Sequence, residues 1–271
     1  MSNLRIFFSS AIFSFRAQFS WLNPPMWLTL KFVLGLSQMA FFVFVGQYIA
    51  QGQGQDPSKI VETIRYIAIG NALQTVAWNT VFSVINITGH DKWDGTLPLL
   101  LATPASRLPI FIGRAMLHVL DGMLSVAINF VFAIFLFGVN LGNADLLALT
   151  IAVILTAFTM AGFGLLIGGF SFYFRDPMVL ANIFTFILLI FCGVNFAVDQ
   201  LPGPLQPVSW AFPLTYGINA AREAIDGKSL IAISPWLGLE LIVGLVSILI
   251  GYIFFRSFER VARKTGRLEA V

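Results

Sequence analysis

One cysteine, two histidines and a charged fraction of 11% in 271 residues rule out several kinds of chemistry together. Cys192 alone cannot close an internal disulfide or build a cysteine metal cluster. It falls inside an apolar stretch, where it reads as a small buried side chain or, alternatively, a reactive thiol. His90 and His118 are not spaced as metal ligands, and no H-E-x-x-H run occurs. The chain has no G-x-x-x-x-G-K-[ST] loop to cradle ATP phosphates, no nucleophile elbow and no pair of catalytic carboxylates. No catalytic, cofactor-binding or metal residue is therefore assigned, and the chain reads as a non-enzyme. A typical soluble domain is about 25% charged. The 16 Lys and Arg here sit beside apolar stretches, which reads as membrane topology and not as a nucleic-acid face.

Long apolar runs fill the chain instead. Six of them cover residues 26–50, 64–88, 110–137, 146–173, 178–198 and 235–255. Each has about the 20 residues that a helix needs to cross a hydrocarbon core ~30 Å thick. No water reaches the backbone there, so such runs are read as helices. The expected fold is all-α: a polytopic membrane protein with six transmembrane helices, forming a single permease domain over residues 1–271.

Residues 1–25 differ from these spans. Leu4, Phe7, Phe8, Ala11, Ile12, Phe15, Phe19 and Leu22 recur at helical spacing, with Arg5, Ser9, Arg16 and Ser20 on the opposite face. This is an amphipathic helix able to lie in the headgroup region, and it lacks the pattern of a cleavable signal. Asn23-Pro24-Pro25 breaks it. With this elbow helix inside, twelve basic residues fall on the cytoplasmic side, among them Lys31, Lys92, Arg107, Arg114 and Arg175. Only Lys59, Arg65, Arg222 and Lys228 fall outside. The bias places both termini in the cytoplasm. Residues 256–271 then form a basic cytoplasmic tail beside anionic headgroups.

Two loops carry most of the information. In the cytoplasmic loop 90–109, Asp94 or Thr96 can cap a short helix whose Leu97, Leu100 and Leu101 share an apolar face and which Pro104 ends. Such a helix suits insertion into a groove of another protein or, alternatively, rest on the bilayer surface. The external segment 199–231 contains four prolines, Trp210 and Tyr216, and reads as a re-entrant pair of short helices covered by protein.

The elbow, the six spans, the Asp94-Gly95-Thr96-Leu97 … Leu101-Ala102-Thr103-Pro104 … Arg107 loop and the Pro213-Leu214-Thr215-Tyr216 … Arg222 segment together resemble the type-2 ABC exporter permeases. The resemblance covers essentially the whole chain, and the loop wording is closer to the antibiotic-export branch than to the polysaccharide branch. It implies that Asp94, Gly95, Thr96, Leu97, Leu100, Leu101, Pro104 and Arg107 couple the chain to an ATPase. It implies an external gate at Pro213, Tyr216, Arg222 and Glu223. Partners would be two ABC ATPase subunits, which carry the ATP and Mg, and a second permease chain, identical or related. The cargo would be an amphipathic or hydrophobic molecule: drug, antibiotic, lipid or lipophilic peptide. A lipid-linked polysaccharide is the alternative, and an ion-coupled secondary transporter the second alternative.

Polar residues inside the spans stay ambiguous. His118 and Asp121 share a helix face, so they line the pathway or form a structural contact, with Arg114 as a candidate partner. Glu240 is expected to pair with Arg222 or Lys228, or to face a wet vestibule. Asn71, Gln74, Asn79, Ser83 and Asn86 form a partly polar stripe suited to interhelical hydrogen bonds or cargo contact. Asn79, Ser83, Phe186 and Phe191 are the candidate pathway wall.

Overall fold

The computed structural model describes residues 3–19, 24–93, 107–171 and 177–265. Among these residues the chain is helical, with no strand. The elements are α1 (Asn3–Phe19), α2 (Pro24–Gly52), α3 (Pro57–Trp93), α4 (Arg107–Phe135), α5 (Leu146–Ser171), α6 (Pro177–Phe191), α7 (Gln206–Ser209), α8 (Pro213–Ile225) and α9 (Leu230–Thr265). Proline stands at the first helical position of α2, α3, α6 and α8, where its missing N–H is no loss. Gly54 and Gly227 take left-handed φ values of 66° and 88° just beyond the ends of α2 and α8.

α3 is the central helix. Residues 67–77 are buried on every side, because α2, α4, α5, α6 and α8 all pack against it. α5 and α9 form the longest seam. A Cβ added at Gly162 would come within 2.5 Å of Ile248, one at Gly244 within 2.6 Å of Thr159, and one at Gly251 within 2.7 Å of Leu166. Small residues of this kind let helix backbones approach where lipid offers no hydrophobic drive for association. α1 packs along α4 in the same manner, with Gly113 set against Phe7 and Ser10.

The outer surface is apolar. Only 17% of the apolar window of α2 and 22% of that of α9 is buried, against 56% for α4 and α5. The uncovered faces carry Phe41, Phe44, Val45, Leu245, Leu249 and Ile253. So much exposed hydrocarbon fits contact with lipid and not with water. Among the described residues, four stretches are long and apolar enough to cross a membrane: Pro25–Gly52, His118–Phe135, Leu146–Phe170 and Leu230–Phe254.

Helix limits differ from the sequence expectation in three places. The fifth apolar run does not stay helical to residue 198. α6 stops at Phe191, and residues 192–197 bend away with Gly193 at φ 72°, a conformation that ends a helix. α3 begins at Pro57, seven residues before its apolar run, and continues through His90 to Trp93. Much of the stretch expected as a basic tail from residue 256 is a continuation of α9 as far as Thr265.

Candidate functional site

The segment 199–231, expected to be external, folds onto the bundle as two 3-10 turns (Val198–Gln200 and Gly203–Leu205) followed by α7 and α8. α8 is buried along nearly its whole length between α3, α5 and α9. Phe212 precedes it in an extended conformation and Pro213 begins it. At its start the Tyr216 hydroxyl donates to the Trp210 carbonyl at 2.9 Å, and the Thr215 hydroxyl to the Ser209 carbonyl at 2.5 Å. The Trp210 ring lies 5.4 Å from Tyr216 and stacks on Trp236 of α9 at 6.0 Å and 12°. Three aromatic rings thus join α7, α8 and α9.

The other end of α8 faces α3. Arg222 is 9% exposed, and its Nη2 donates to the carbonyls of Tyr66 (3.0 Å) and Val194 (3.1 Å). Its guanidinium lies over the Tyr66 ring, 3.3 Å from the centroid. Nε and Nη1 are buried without a hydrogen-bond partner. Burial lowers the Arg222 pKa to about 10, with Tyr66 acting in the opposite direction, so the side chain stays charged at neutral pH. One turn later, Asp226 pairs with Arg65 at 2.6 Å on the surface. Glu223 pairs with Lys228 at 2.9 Å. All four expected gate residues therefore belong to one helix: Pro213 opens it, Tyr216 joins the aromatic cluster, Arg222 faces α3, and Glu223 faces the following turn.

Glu240 does not meet Arg222 or Lys228. It is fully buried in α9 and accepts a hydrogen bond from the Thr159 hydroxyl of α5 at 3.1 Å. Gly217 of α8 leaves room for this carboxylate, since a Cβ there would lie 2.8 Å from Glu240 Oε1 and against the Thr156 hydroxyl. Arg222 cannot serve as partner because α8 turns it toward α3.

The intramembrane anomaly resolves into an ion pair. Lys31 of α2 donates to Asp121 Oδ2 at 2.7 Å and to Ser125 Oγ at 2.8 Å, and the two charged side chains are 9% and 6% exposed. The sequence groups Lys31 with the cytoplasmic topology charges and offers Arg114 as the candidate partner of Asp121; in the structure that partner is Lys31, inside the bundle. A carboxylate within a span implied a partner, and Lys31 was the basic residue inside the first apolar run. Further along, Asn129 of α4 lies against Gly35 of α2, at 2.7 Å from the position of an added Cβ. His118 is fully buried on the same α4 face.

The candidate pathway residues do not share one face. Phe186 is 58% exposed on an outward stripe with Ile183 and Ile190, whereas Phe191 packs partly against the core. Asn79 is half-buried, and its Nδ2 donates to the Thr75 carbonyl at 2.8 Å. Asn71 is committed within the bundle, donating to the Ile67 carbonyl and to Asn195 Oδ1. The Ser83 side chain lies outside the described residues. So do Asp94, Gly95, Thr96, Leu97, Leu100, Leu101 and Pro104; Arg107 opens α4.

Residues 10–225 match the ABC-2 type transporter family. The chain belongs to this family. The matched stretch of the ABC-2 chain runs from within α1 to the last residue of α8, so it includes the Lys31–Asp121 pair, Tyr216 and Arg222, while Asp226 and Trp236 lie beyond it. Among curated proteins, the chain is similar to the capsule polysaccharide export inner-membrane protein CtrC of Neisseria meningitidis serogroup B. The two are 27% identical over 118 residues, or 43% of this chain and 44% of that protein. The serogroup A protein of the same name is 28% identical over 118 residues, with the same coverage. The matching region thus spans less than half the length of these relatives.

Proposed function

We propose that this ABC-2 chain is the membrane subunit of an ATP-driven exporter. The observation that carries this reading is the family match over residues 10–225, laid on a helical bundle with an apolar outer surface. In this reading α2, α3, α4, α5, α6 and α9 cross a cell membrane, α1 lies at the cytoplasmic interface, and both termini are cytoplasmic. The loop 90–109 docks on the ABC ATPase subunits, two in the complex, which hold the ATP and Mg. Two permease chains, identical or related, enclose the pathway, with Asn79, Ser83, Phe186 and Phe191 at its wall. ATP binding moves the coupling loops, and the spans follow by rigid-body displacement. The segment from α7 to α8 closes the exit, and Pro213, Tyr216, Arg222 and Glu223 set its position.

The cargo reading follows the relatives. The capsule polysaccharide export for which those proteins are named favours a lipid-linked glycan over the drug, antibiotic, lipid or lipophilic peptide that the loop wording and scarce charge support. Both are amphipathic and suit apolar spans. Reconstitution of the permease with its ATPase, followed by mass spectrometry of retained cargo, tests the assignment. Vanadate-sensitive transport with a glycan in the retained material is expected. Transport driven by a proton gradient without ATP would overturn the exporter reading, and a retained drug-like molecule would overturn the cargo class.

A further inference from the structure

The geometry points to a two-rung clasp between α3 and α8 that holds the outer segment shut and releases when that segment moves. The inference rests on the gating reading of the outer segment given above.

The rungs are built from neighbours in sequence. Arg65 and Tyr66 are consecutive on α3, while Arg222 and Asp226 are one turn apart at the end of α8. The outer rung is the Arg65–Asp226 ion pair, with side chains 36% and 56% exposed. The inner rung is the buried Arg222 guanidinium, held by the Tyr66 and Val194 carbonyls and by the Tyr66 ring. The Asp226 N–H donates to the Arg222 carbonyl at 2.9 Å, so one backbone bond links the two rungs. Gly70 gives the inner rung its seat. A Cβ there would collide with the Val194 carbonyl and lie 2.8 Å from Arg222 Nη2.

The inner rung is seated but not saturated. Nη2 is used twice, while Nε and Nη1 are buried without a partner. Buried donors without acceptors disfavour the state that buries them, and water would satisfy both groups once α8 lifted. No carboxylate among the described residues forms an ion pair with Arg222. Its charge is met by carbonyl dipoles and a ring face, which hold a cation more weakly than a desolvated carboxylate does. The outer rung, in water, adds a small and salt-sensitive bias toward closure. Together these features describe a contact able to open and close, in contrast to the α5–α9 seam, where backbones touch.

Charge exchange separates the clasp from simple structural damage. The wild-type permease–ATPase complex in lipid nanodiscs would be compared with Arg65→Asp, Asp226→Arg and the exchanged pair R65D/D226R. Hydrogen exchange is read at the amides of residues 214–226, and cargo transport is read separately. Each single reversal should raise exchange about 1.5- to 5-fold, the range of one exposed ion pair. The exchanged pair should return it to the wild-type rate. Added salt should raise exchange in wild type and lower it in the single reversals, where it screens two like charges. Arg222→Lys, which keeps the charge but loses the planar bridge to two carbonyls, should raise it more than either surface reversal. Wild-type exchange in both single reversals, or failure of R65D/D226R to restore it, overturns the clasp. If transport stays ATP-dependent in that case, the exporter reading survives. If the exchange pattern appears as expected while the complex moves no cargo under ATP, the clasp stands and the exporter reading falls.

Discussion

Replacing Lys31 by Met should destabilise the bundle far more than replacing Lys31 and Asp121 together. At 2.7 Å the two charges attract by about 6 kcal/mol at an effective dielectric near 20. Both side chains are more than nine-tenths buried, and desolvation costs several kcal/mol per ion, so most of that attraction is offset. The pair as a whole is therefore worth little, yet each partner alone is expensive. Lys31→Met leaves the Asp121 carboxylate with an Oδ1 that already lacks a partner and an Oδ2 that has just lost its own. A loss of about 3–5 kcal/mol is expected, and a similar loss for Asp121→Leu. The double variant K31M/D121L should recover most of it. Thermal unfolding in mild detergent reads this as a fall in Tm on the order of 10 °C for each single variant, with a smaller fall for the double. If the double variant melts at or below the worse single, the two residues act through separate packing effects and the ion-pair reasoning is wrong. If it melts near wild type but moves no cargo, the pair belongs to the pathway and not to the frame.

Gly217→Ala should cost about 1–3 kcal/mol by overpacking, because the new methyl meets Glu240 Oε1 and the Thr156 hydroxyl. Thermal melts should show partial recovery in G217A/T156A, and no recovery would refute the assigned clash. Tyr216→Phe keeps the stacked ring but removes the hydrogen bond to the Trp210 carbonyl, so a drop of about 1 kcal/mol is expected, against about 3–5 kcal/mol for Tyr216→Ala. Equal melts for the two variants would remove the ring from the account. Asp at both Leu100 and Leu101 should leave the permease inserted but unable to co-purify with its ATPase, since an unpartnered carboxylate in an apolar groove costs several kcal/mol; a normally assembled, active complex would take the coupling role away from this loop. Single cysteines at Asn79, Ser83, Phe186 and Phe191, in a chain with Cys192 replaced, should react with a polar probe or cross-link between protomers. Four lipid-exposed sites in a transporting monomer would exclude the two-chain pathway.

Hydropathy made the helices legible because the cost of unpaired backbone in lipid leaves few alternatives to a helix. The apolar runs 26–50, 110–137 and 146–173 lie within a few residues of α2, α4 and α5. Composition could not reveal where a helix stops inside an apolar run. Residues 192–198 stay apolar apart from Gly193 and Asn195, and the departure at Gly193 depends on its φ, which hydropathy does not sense. Spacing along one helix identified the shared face of His118 and Asp121 but not its counterpart on α2, because Lys31 and Asp121 are 90 residues apart. Glu240 was misdirected for a similar reason. Opposite charge pointed to Arg222, while two threonines on α5 and a missing side chain at Gly217 supply its surroundings. Polar residues such as Thr156 and Thr159 attract no notice in a run of apolar sequence, and only the fold shows what they face.

The α5–α9 seam sets a timetable for biosynthesis. α5 and α8 leave the ribosome before α9, yet the Gly217 side of α8 is closed by a residue of α9. In lipid, close packing at Gly162, Gly244 and Gly251 and the Thr159–Glu240 hydrogen bond draw α9 onto α5. Until that contact forms, the Thr159 hydroxyl lacks Glu240 and the stacked partner of Trp210 is missing. A nascent chain paused between α8 and α9 would therefore show membrane quality control an unfinished polar notch, which the last helix seals by docking.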